Sequence, residues 1–306
     1  MPDFSEITDS PLQPLHSSFL EQAKVQLYVK RDDLLHPEFG GNKWRKLKHN
    51  LLFAKQHHYS TLLTFGGAWS NHIYATAAAG KYFGFNTIGI IRGEQHAPLN
   101  PTLKFSEQCG MQLHYVTRTE YRQKHQAEYL EKLKQKFGPV YILPEGGSNA
   151  LAVKGCEDIV DEINTSLKDS SSRPFDVICC ACGTGATLSG IVSRLKAGQT
   201  AIGFSALKGG EFLNEEVDNF LPLKQKVKNW RIEDRYHFGG YAKVNDELIQ
   251  FIKDFQSQYG IMLDAVYTGK MFYGLFQLIA AGQFKAGTTI VAVHSGGLQG
   301  NKGFDL

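Results

Sequence analysis

Residues 29–47 read VKRDDLLHPEFGGNKWRKL: a short strand, a polar turn, a Gly-Gly-Asn hinge, then a helix with Lys43 in its first turn. Gly40 and Gly41 permit a tight or positive-φ turn, and Asn42 is placed to cap the helix. A cation in the first turn meets the positive end of the helix macrodipole, where it is disfavoured. Solvation alone is a poor reason for a lysine there. A lysine that works as a neutral amine fits better, because only the free base attacks an aldehyde. The competing reading is a surface lysine on a basic helix that also carries Arg45, Lys46 and Lys48. The rest of the chain decides between them.

With 306 residues the chain can bury a large core, in two domains or one large one. A hydrophobic content of 42% and a charged content of 21% are those of an ordinary globular protein. The net charge of +3 is too small to argue for nucleic acid. The N-terminus has no basic segment followed by an apolar run, and no apolar segment reaches membrane-spanning length. The longest, residues 176–182, reads as a buried strand. Of five cysteines, Cys179, Cys180 and Cys182 crowd that strand, and none shows zinc spacing. A cytoplasmic protein with reduced thiols, no metal and no membrane partner is expected.

After an irregular lead-in (1–25), periodicity predicts alternating strands and helices. Strands fall at 26–30, 61–65, 87–91, 112–116, 140–143, 177–181, 201–207 and 288–294. Helices fall at 43–57, 70–83, 102–109, 120–137, 150–167, 186–197, 245–259 and 270–281. Residues 211–234 read as a helix and a polar loop, and 166–175 is the best compositional boundary. Such alternation with apolar strands means α/β architecture, mostly parallel, with helices on both faces.

In these sheets ligands lie at the carboxyl ends of strands, so the strand-to-helix turns carry the information. TFGGAWSNH (64–72) ends a strand in Gly-Gly and opens a helix with Ser70, Asn71 and His72, which is either a capped turn or a clamp for a carboxylate or ring hydroxyl. CGTGATLSG (182–190) is a Gly-rich turn into a helix N-terminus, where backbone N–H groups favour a phosphate. It has no Lys-Ser/Thr pair after the glycines, and Ala186, Thr187 and Leu188 follow Gly185 where GxGxxG needs its third glycine, which points to a phosphate monoester rather than a nucleotide. PEGGSNALAVKG (144–155) reads foremost as another capped turn, and VHSGGLQG (293–300) places the Ser295 hydroxyl beyond the last strand. Tyr241 in FGGYAK and Tyr267 in DAVYTGK are either half-buried packing or chemistry. One cofactor explains the set: an aldehyde for Lys43, a phosphate for the Gly-Thr-Gly turn, and partners for a ring hydroxyl and a ring nitrogen. That cofactor is pyridoxal 5′-phosphate.

On KRDDLLHPEFGGNKWRKL, SNH after Gly-Gly, PEGGSN and VYTGK, the chain resembles the 1-aminocyclopropane-1-carboxylate deaminases and D-cysteine desulfhydrases. These belong to the tryptophan-synthase-β-like, fold type II, pyridoxal-phosphate enzymes. The resemblance runs from KRDDL to HSGG. It implies two open, twisted, mostly parallel sheets, with a large domain of 1–47 and 160–306 and a small domain of 48–159. It implies that Lys43 forms the Schiff base and that Asn71 meets the ring oxygen. Cys182, Gly183, Thr184, Gly185, Ala186 and Thr187 would cradle the phosphate. Ser70, Asn71 and His72 would border the carboxylate of a small amino-acid substrate, Ser70 also acting in catalysis. Tyr241 and Tyr267 would contact substrate and move protons, with Thr268 and Ser295 at the cofactor ring. A homodimer is usual for the family.

The ring-opening deaminases have SNQ, an acid after the second tyrosine and a leucine before the last Gly-Gly. This chain has His72, Thr268 and Ser295 at those places. All three point toward desulfhydrase-like elimination giving pyruvate, sulfide and ammonia. The desulfhydrases have threonine where Ser295 stands, and the run after SNH lacks the usual arginine; these departures touch substrate identity more than reaction class. The alternatives are the cyclopropane deaminase, giving 2-oxobutanoate and ammonia, and a non-catalytic pyridoxal-phosphate-binding protein.

Overall fold

The computed structural model describes residues 4–221, 229–304 and 306. Ten strands are found among them: β1 Leu12–Leu15, β2 Gln26–Lys30, β3 Thr61–Gly66, β4 Asn86–Arg92, β5 Gln112–Val116, β6 Val140–Leu143, β7 Val177–Cys182, β8 Thr200–Ser205, β9 Trp230–Glu233 and β10 Thr289–Val293. One sheet has the order β1-β2-β10-β7-β8-β9 and the other β5-β4-β3-β6. Every neighbouring pair is parallel except β1 with β2.

Period-two alternation along β7 explains its composition. Val177, Cys179 and Ala181 enter one core with Leu248, Phe255 and Phe272. Ile178, Cys180 and Cys182 enter the opposite core with Ile159, Ile163 and Leu188. A strand buried on both faces reads as an unbroken apolar run, and its thiols are free and buried.

Several expectations need correction. Residues 12–15 form an edge strand despite Pro14, which an edge tolerates because one side of the strand needs no ladder N–H. The lead-in also holds a helix, Ser18–Gln22, capped by the Ser17 side chain. The long helix expected at 120–137 is two, Arg118–Tyr121 and Ala127–Phe137. Residues 211–234 hold the helix Phe212–Phe220 and β9, the other edge strand; the stretch 222–228 of that reading lies outside the described residues. Residues 166–175, the compositional boundary, hold the end of the helix Ala150–Asp169, whose Ile163 and Leu167 pack into the large-sheet core, and the turn into β7.

The KRDD stretch is a structural anchor. Arg45 donates from Nη2 to Asp32 Oδ1 at 2.8 Å and from Nε to Asp32 Oδ2 at 3.1 Å. Its Nη2 also reaches Glu162 Oε2 at 2.7 Å. Lys30 pairs with the same Glu162, and Ser10 donates to Asp32 at 2.6 Å. Burial opposes the Arg45 charge, yet Asp32 and Glu162 hold its pKa above the ordinary value. Charges this buried persist only when paired and hydrogen-bonded, and the network ties β2 to the helices Asn42–Gln56 and Ala150–Asp169.

Candidate active site

The carboxyl ends of β3, β6, β7 and β10 converge on a cavity of about 870 Å³ between the two sheets. Lys43 lines it from the first turn of the helix Asn42–Gln56. The cap of that helix is Gly41, not Asn42. Gly41 has φ +70°, and a Cβ there would stand 2.1 Å from the Ser295 carbonyl oxygen, so only glycine lets β10 and this helix approach so closely. Asn42 is thereby released for the site. It donates to Thr187 Oγ1 at 3.1 Å and accepts from Lys43 Nζ at 3.1 Å. Burial, with Lys46 nearby, pulls the Lys43 amine down to about 7. The neutral-amine reading of Lys43 therefore has a physical cause.

Lys46, one turn on, is buried rather than on a solvated face. Its Nζ donates to Gly146 O, Ser148 Oγ and Thr184 Oγ1, each at 3.1 Å, and burial lowers its pKa. The PEGGSN turn thus has a double use. Asn149 caps the next helix through Ala152 N at 2.9 Å, while Ser148 meets Thr184 Oγ1 at 2.6 Å.

Cys182, Gly183, Thr184, Gly185 and Thr187 all line the cavity. Gly185 has φ +79° at the entrance of the helix Ala186–Ser193. Ala186 does not line it: its side chain is buried and its N–H turns back to Thr184 O at 3.0 Å. Burial pushes the Cys182 thiol up to about 11, which keeps it uncharged.

Ser70, Asn71 and His72 meet Lys43 at the same cavity. Ser70 caps the helix Asn71–Phe83, its Oγ accepting from His72 N and Ile73 N at 3.2 Å each. Asn71 Oδ1 accepts from Gln299 Nε2, and Thr102 Oγ1 holds Gln299 at 2.8 Å. The His72 tautomer follows from its neighbour. Thr64 Oγ1 donates to Leu143 O at 3.1 Å, so at 2.7 Å it accepts from His72 Nε2–H. Nδ1 is left as a buried acceptor with no partner among the described residues. Burial, then Lys43 and Lys46, hold the imidazole pKa well below its usual value.

Tyr241 and Tyr267 also line the cavity, with ring centroids 6.1 Å apart, edge to face. Burial raises both phenol pKa values, Tyr267 the more strongly. Ser295 lines the cavity, and its carbonyl accepts from Asn42 N at 3.2 Å. Thr268 does not reach the cavity. Its N–H and Oγ1–H both donate to Asp264 Oδ1 at 2.7 Å, while Val266 N and Tyr267 N take Oδ2 at 2.9 and 2.8 Å. A carboxylate four residues upstream, gathering the unpaired N–H groups of a helix start, claims that hydroxyl. Sequence reasoning also missed Lys46, Ser148 and Gln299. Lys46 had one signal, its i,i+3 spacing from Lys43 on the same helix face.

The donor set fits pyridoxal phosphate. A neutral buried amine suits an aldehyde, and a buried ammonium among hydroxyls at a Gly-rich helix entrance suits a phosphate. His72 Nδ1 is buried without a partner among the described residues at the wall of the cavity, beside Gly147. A Cβ on Gly183 would come 3.2 Å from the Tyr267 ring, so that wall of the cavity depends on the absence of a side chain.

The chain belongs to the pyridoxal-phosphate dependent enzymes, whose family model matches residues 4–296. It is similar to the bifunctional D-cysteine desulfhydrase/1-aminocyclopropane-1-carboxylate deaminase, mitochondrial, of Arabidopsis thaliana: 33% identical, covering 90% of this chain and 73% of that one. It is similar to the D-cysteine desulfhydrase of Serratia proteamaculans at 27% identity, covering 94% and 91%. A crystal structure of an ACC deaminase homologue superposes with a TM-score of 0.81 at 30% identity, covering 96% and 91%. Pyridoxal phosphate is the cofactor, and the deaminase/desulfhydrase group is the part of the family the chain falls in. Among the described residues no helix is long and apolar enough to cross a membrane.

Proposed function

We propose that the protein is a lyase for a small amino acid, D-cysteine above all, acting by α,β-elimination to give pyruvate, sulfide and ammonia. The observation that carries this reading is the neutral lining after β10. Ser295 brings a hydroxyl to the cavity, while both oxygens of buried Asp264 are occupied by three backbone N–H groups and Thr268. Bound pyridoxal phosphate supplies an aldehyde carbon and an electron-withdrawing ring. Lys46, Ser148, Thr184 and the backbone of Gly183 and Gly185 would hold its phosphate, Asn71 its ring oxygen and Ser295 its ring nitrogen. A hydroxyl partner leaves that nitrogen unprotonated, which suits loss of a good leaving group such as thiolate better than opening of a cyclopropane.

The chain's own groups divide the remaining work. Lys43, neutral near pH 7, takes the α-proton at Nζ. Ser70 Oγ accepts two N–H groups, so its own proton is left to donate to the substrate carboxylate. The Tyr241 and Tyr267 phenols, protonated at neutral pH as ordinary phenols are and shifted further upward here, serve as proton donors to the departing sulfur. Protein loaded with cofactor should release sulfide and pyruvate in equal amounts from D-cysteine. Release of neither removes the reading.

A second reading is favoured by the bifunctional relative: deamination of 1-aminocyclopropane-1-carboxylate, read as 2-oxobutanoate release. A non-catalytic pyridoxal-phosphate protein would instead show an absorbance band that no amino acid alters. On the family resemblance we also place the large domain at 1–47 and 160–306 and the small one at 48–159, in a cytoplasmic homodimer. Limited proteolysis and sedimentation equilibrium test the boundaries and the dimer.

A further inference from the structure

The exposed large apolar side chains among the described residues are Leu34, Trp69, Phe212 and Tyr241, and three of the four line the cavity. Trp69 is 42% exposed, Phe212 48% and Tyr241 44%. They come from both sides of the cleft. Trp69 follows β3 in the small sheet, Phe212 begins the helix after β8, and Tyr241 lies in the loop after β9. Arg92, the last residue of β4, lines the same cavity and lies over the Tyr121 ring, its guanidinium carbon 5.6 Å from the centroid. Singly exposed aromatics are ordinary; aromatics gathered on one concave mouth mark a surface that a ligand covers. The deeper residues Lys43, Ser70, Asn71 and Thr184 already account for the cofactor and the α-amino acid. A bare thiol side chain offers these rings almost no apolar area.

We infer that the outer half of the cavity binds the sulfur substituent of S-substituted cysteines, thioethers whose substituent is flat and apolar, and that such conjugates are substrates. The inference rests on the elimination reading above and extends it to a larger leaving group. The reaction is R–S–CH2–CH(NH3+)–COO− plus water giving R–SH, pyruvate and ammonium. The C–S bond breaks with its electron pair on sulfur, which takes a proton, and water replaces nitrogen at the α-carbon. No oxidant or reductant is needed. Trp69 and Phe212 would give the substituent apolar contact from the two sides of the cleft, and the Arg92 guanidinium would offer it a cation.

The test uses holoenzyme with D-cysteine and S-phenyl-D-cysteine, reading pyruvate together with sulfide or thiophenol. The expected kcat/KM for the phenyl thioether equals or exceeds that for D-cysteine. Phe212→Ala should lower it at least tenfold while changing D-cysteine turnover less than twofold. A readout independent of turnover uses Lys43→Ala protein. Trp44 and Trp230 are buried, so Trp69 dominates solvent-sensitive fluorescence. S-phenyl-D-cysteine should quench it saturably, and D-alanine should not. Turnover of D-cysteine without thiophenol release overturns the inference and leaves the elimination reading standing. Thiophenol release that Phe212→Ala does not alter also overturns it. Pyruvate from neither compound removes the elimination reading, and this inference with it.

Discussion

The Lys270 ammonium donates to the Gly240 carbonyl at 2.7 Å and to the His237 carbonyl at 2.9 Å. Lys270 and Tyr267 stand on the first turn of the helix Thr268–Ala280 and at its cap, and Gly240 immediately precedes Tyr241. One buried side chain therefore fixes the spacing between the two tyrosines. Lys270→Met leaves the two carbonyls only their backbone donors, Gly240 N at His237 O and Lys243 N at Gly240 O, and removes the cation that ties the Tyr241 loop to the helix. Its kcat/KM should fall about 10- to 100-fold, the range for a misplaced catalytic group, with Lys270→Arg recovering part of the loss. Burial also brings Lys270 down to about 8, so an alkaline limb of the pH profile that shifts in Lys270→Arg would tie the effect to this amine. Unchanged kinetics in Lys270→Met would disprove the positioning role.

Lys43 at about 7 predicts that uptake of pyridoxal phosphate by cofactor-free protein speeds up between pH 6 and 8 and then levels. An ordinary lysine would keep gaining toward pH 10. The sign for stability follows from proton binding. Between about pH 7 and 10.5 the unfolded chain holds a proton on Lys43 that the folded chain does not, so the cofactor-free protein gains stability as pH rises. Lys43→Met should flatten that slope relative to the parent. Comparing thermal midpoints at pH 7 and 8.5 checks it, and equal slopes would argue against a depressed amine.

Lys46→Met removes the buried ammonium beside Thr184 and Ser148. Loss of a charged hydrogen bond of about 1.5–3 kcal/mol corresponds to a 10- to 100-fold weaker hold on pyridoxal phosphate. Affinity for pyridoxal, which lacks the phosphate, should barely change. An equal loss for both ligands would contradict the phosphate assignment.

Asp32→Asn leaves Arg45 buried with Glu162 alone. Breaking one partner of a buried charge network costs about 3–5 kcal/mol, read as a lower urea midpoint of the holoprotein. A loss below about 1 kcal/mol would show that the network adds little.

What was legible in the sequence is what local chemistry dictates. Gly-Gly-Asn-Lys, the SNH turn and the Gly-Thr-Gly turn each stand out as a strand end or hinge followed by a helix start, and the structure brings all three to one cavity, although each alone also reads as a capped turn or a solvated face. The helix Asn71–Phe83 follows from its local pattern, and β7 from the length and β-branched content of an unbroken apolar run. Less legible was anything settled by a residue distant in sequence. Asp264 takes the Thr268 hydroxyl, Gln299 orients Asn71, and Glu162 neutralises Lys30 and Arg45 from another helix. Asn42 looked like a cap because its type favours one, yet the Ser295 carbonyl leaves room only for Gly41 there. The edge strand β1 was hidden by Pro14, since position in the sheet, not composition, makes the proline tolerable.

The most direct test of the account is an absorbance spectrum of protein incubated with pyridoxal phosphate, followed by addition of D-cysteine with assay of sulfide and pyruvate. The expected result is a visible band that is absent in Lys43→Ala, a change in that band on adding D-cysteine, and both products in equal amounts. A band that no amino acid perturbs, or 2-oxobutanoate from 1-aminocyclopropane-1-carboxylate with nothing from D-cysteine, would contradict it.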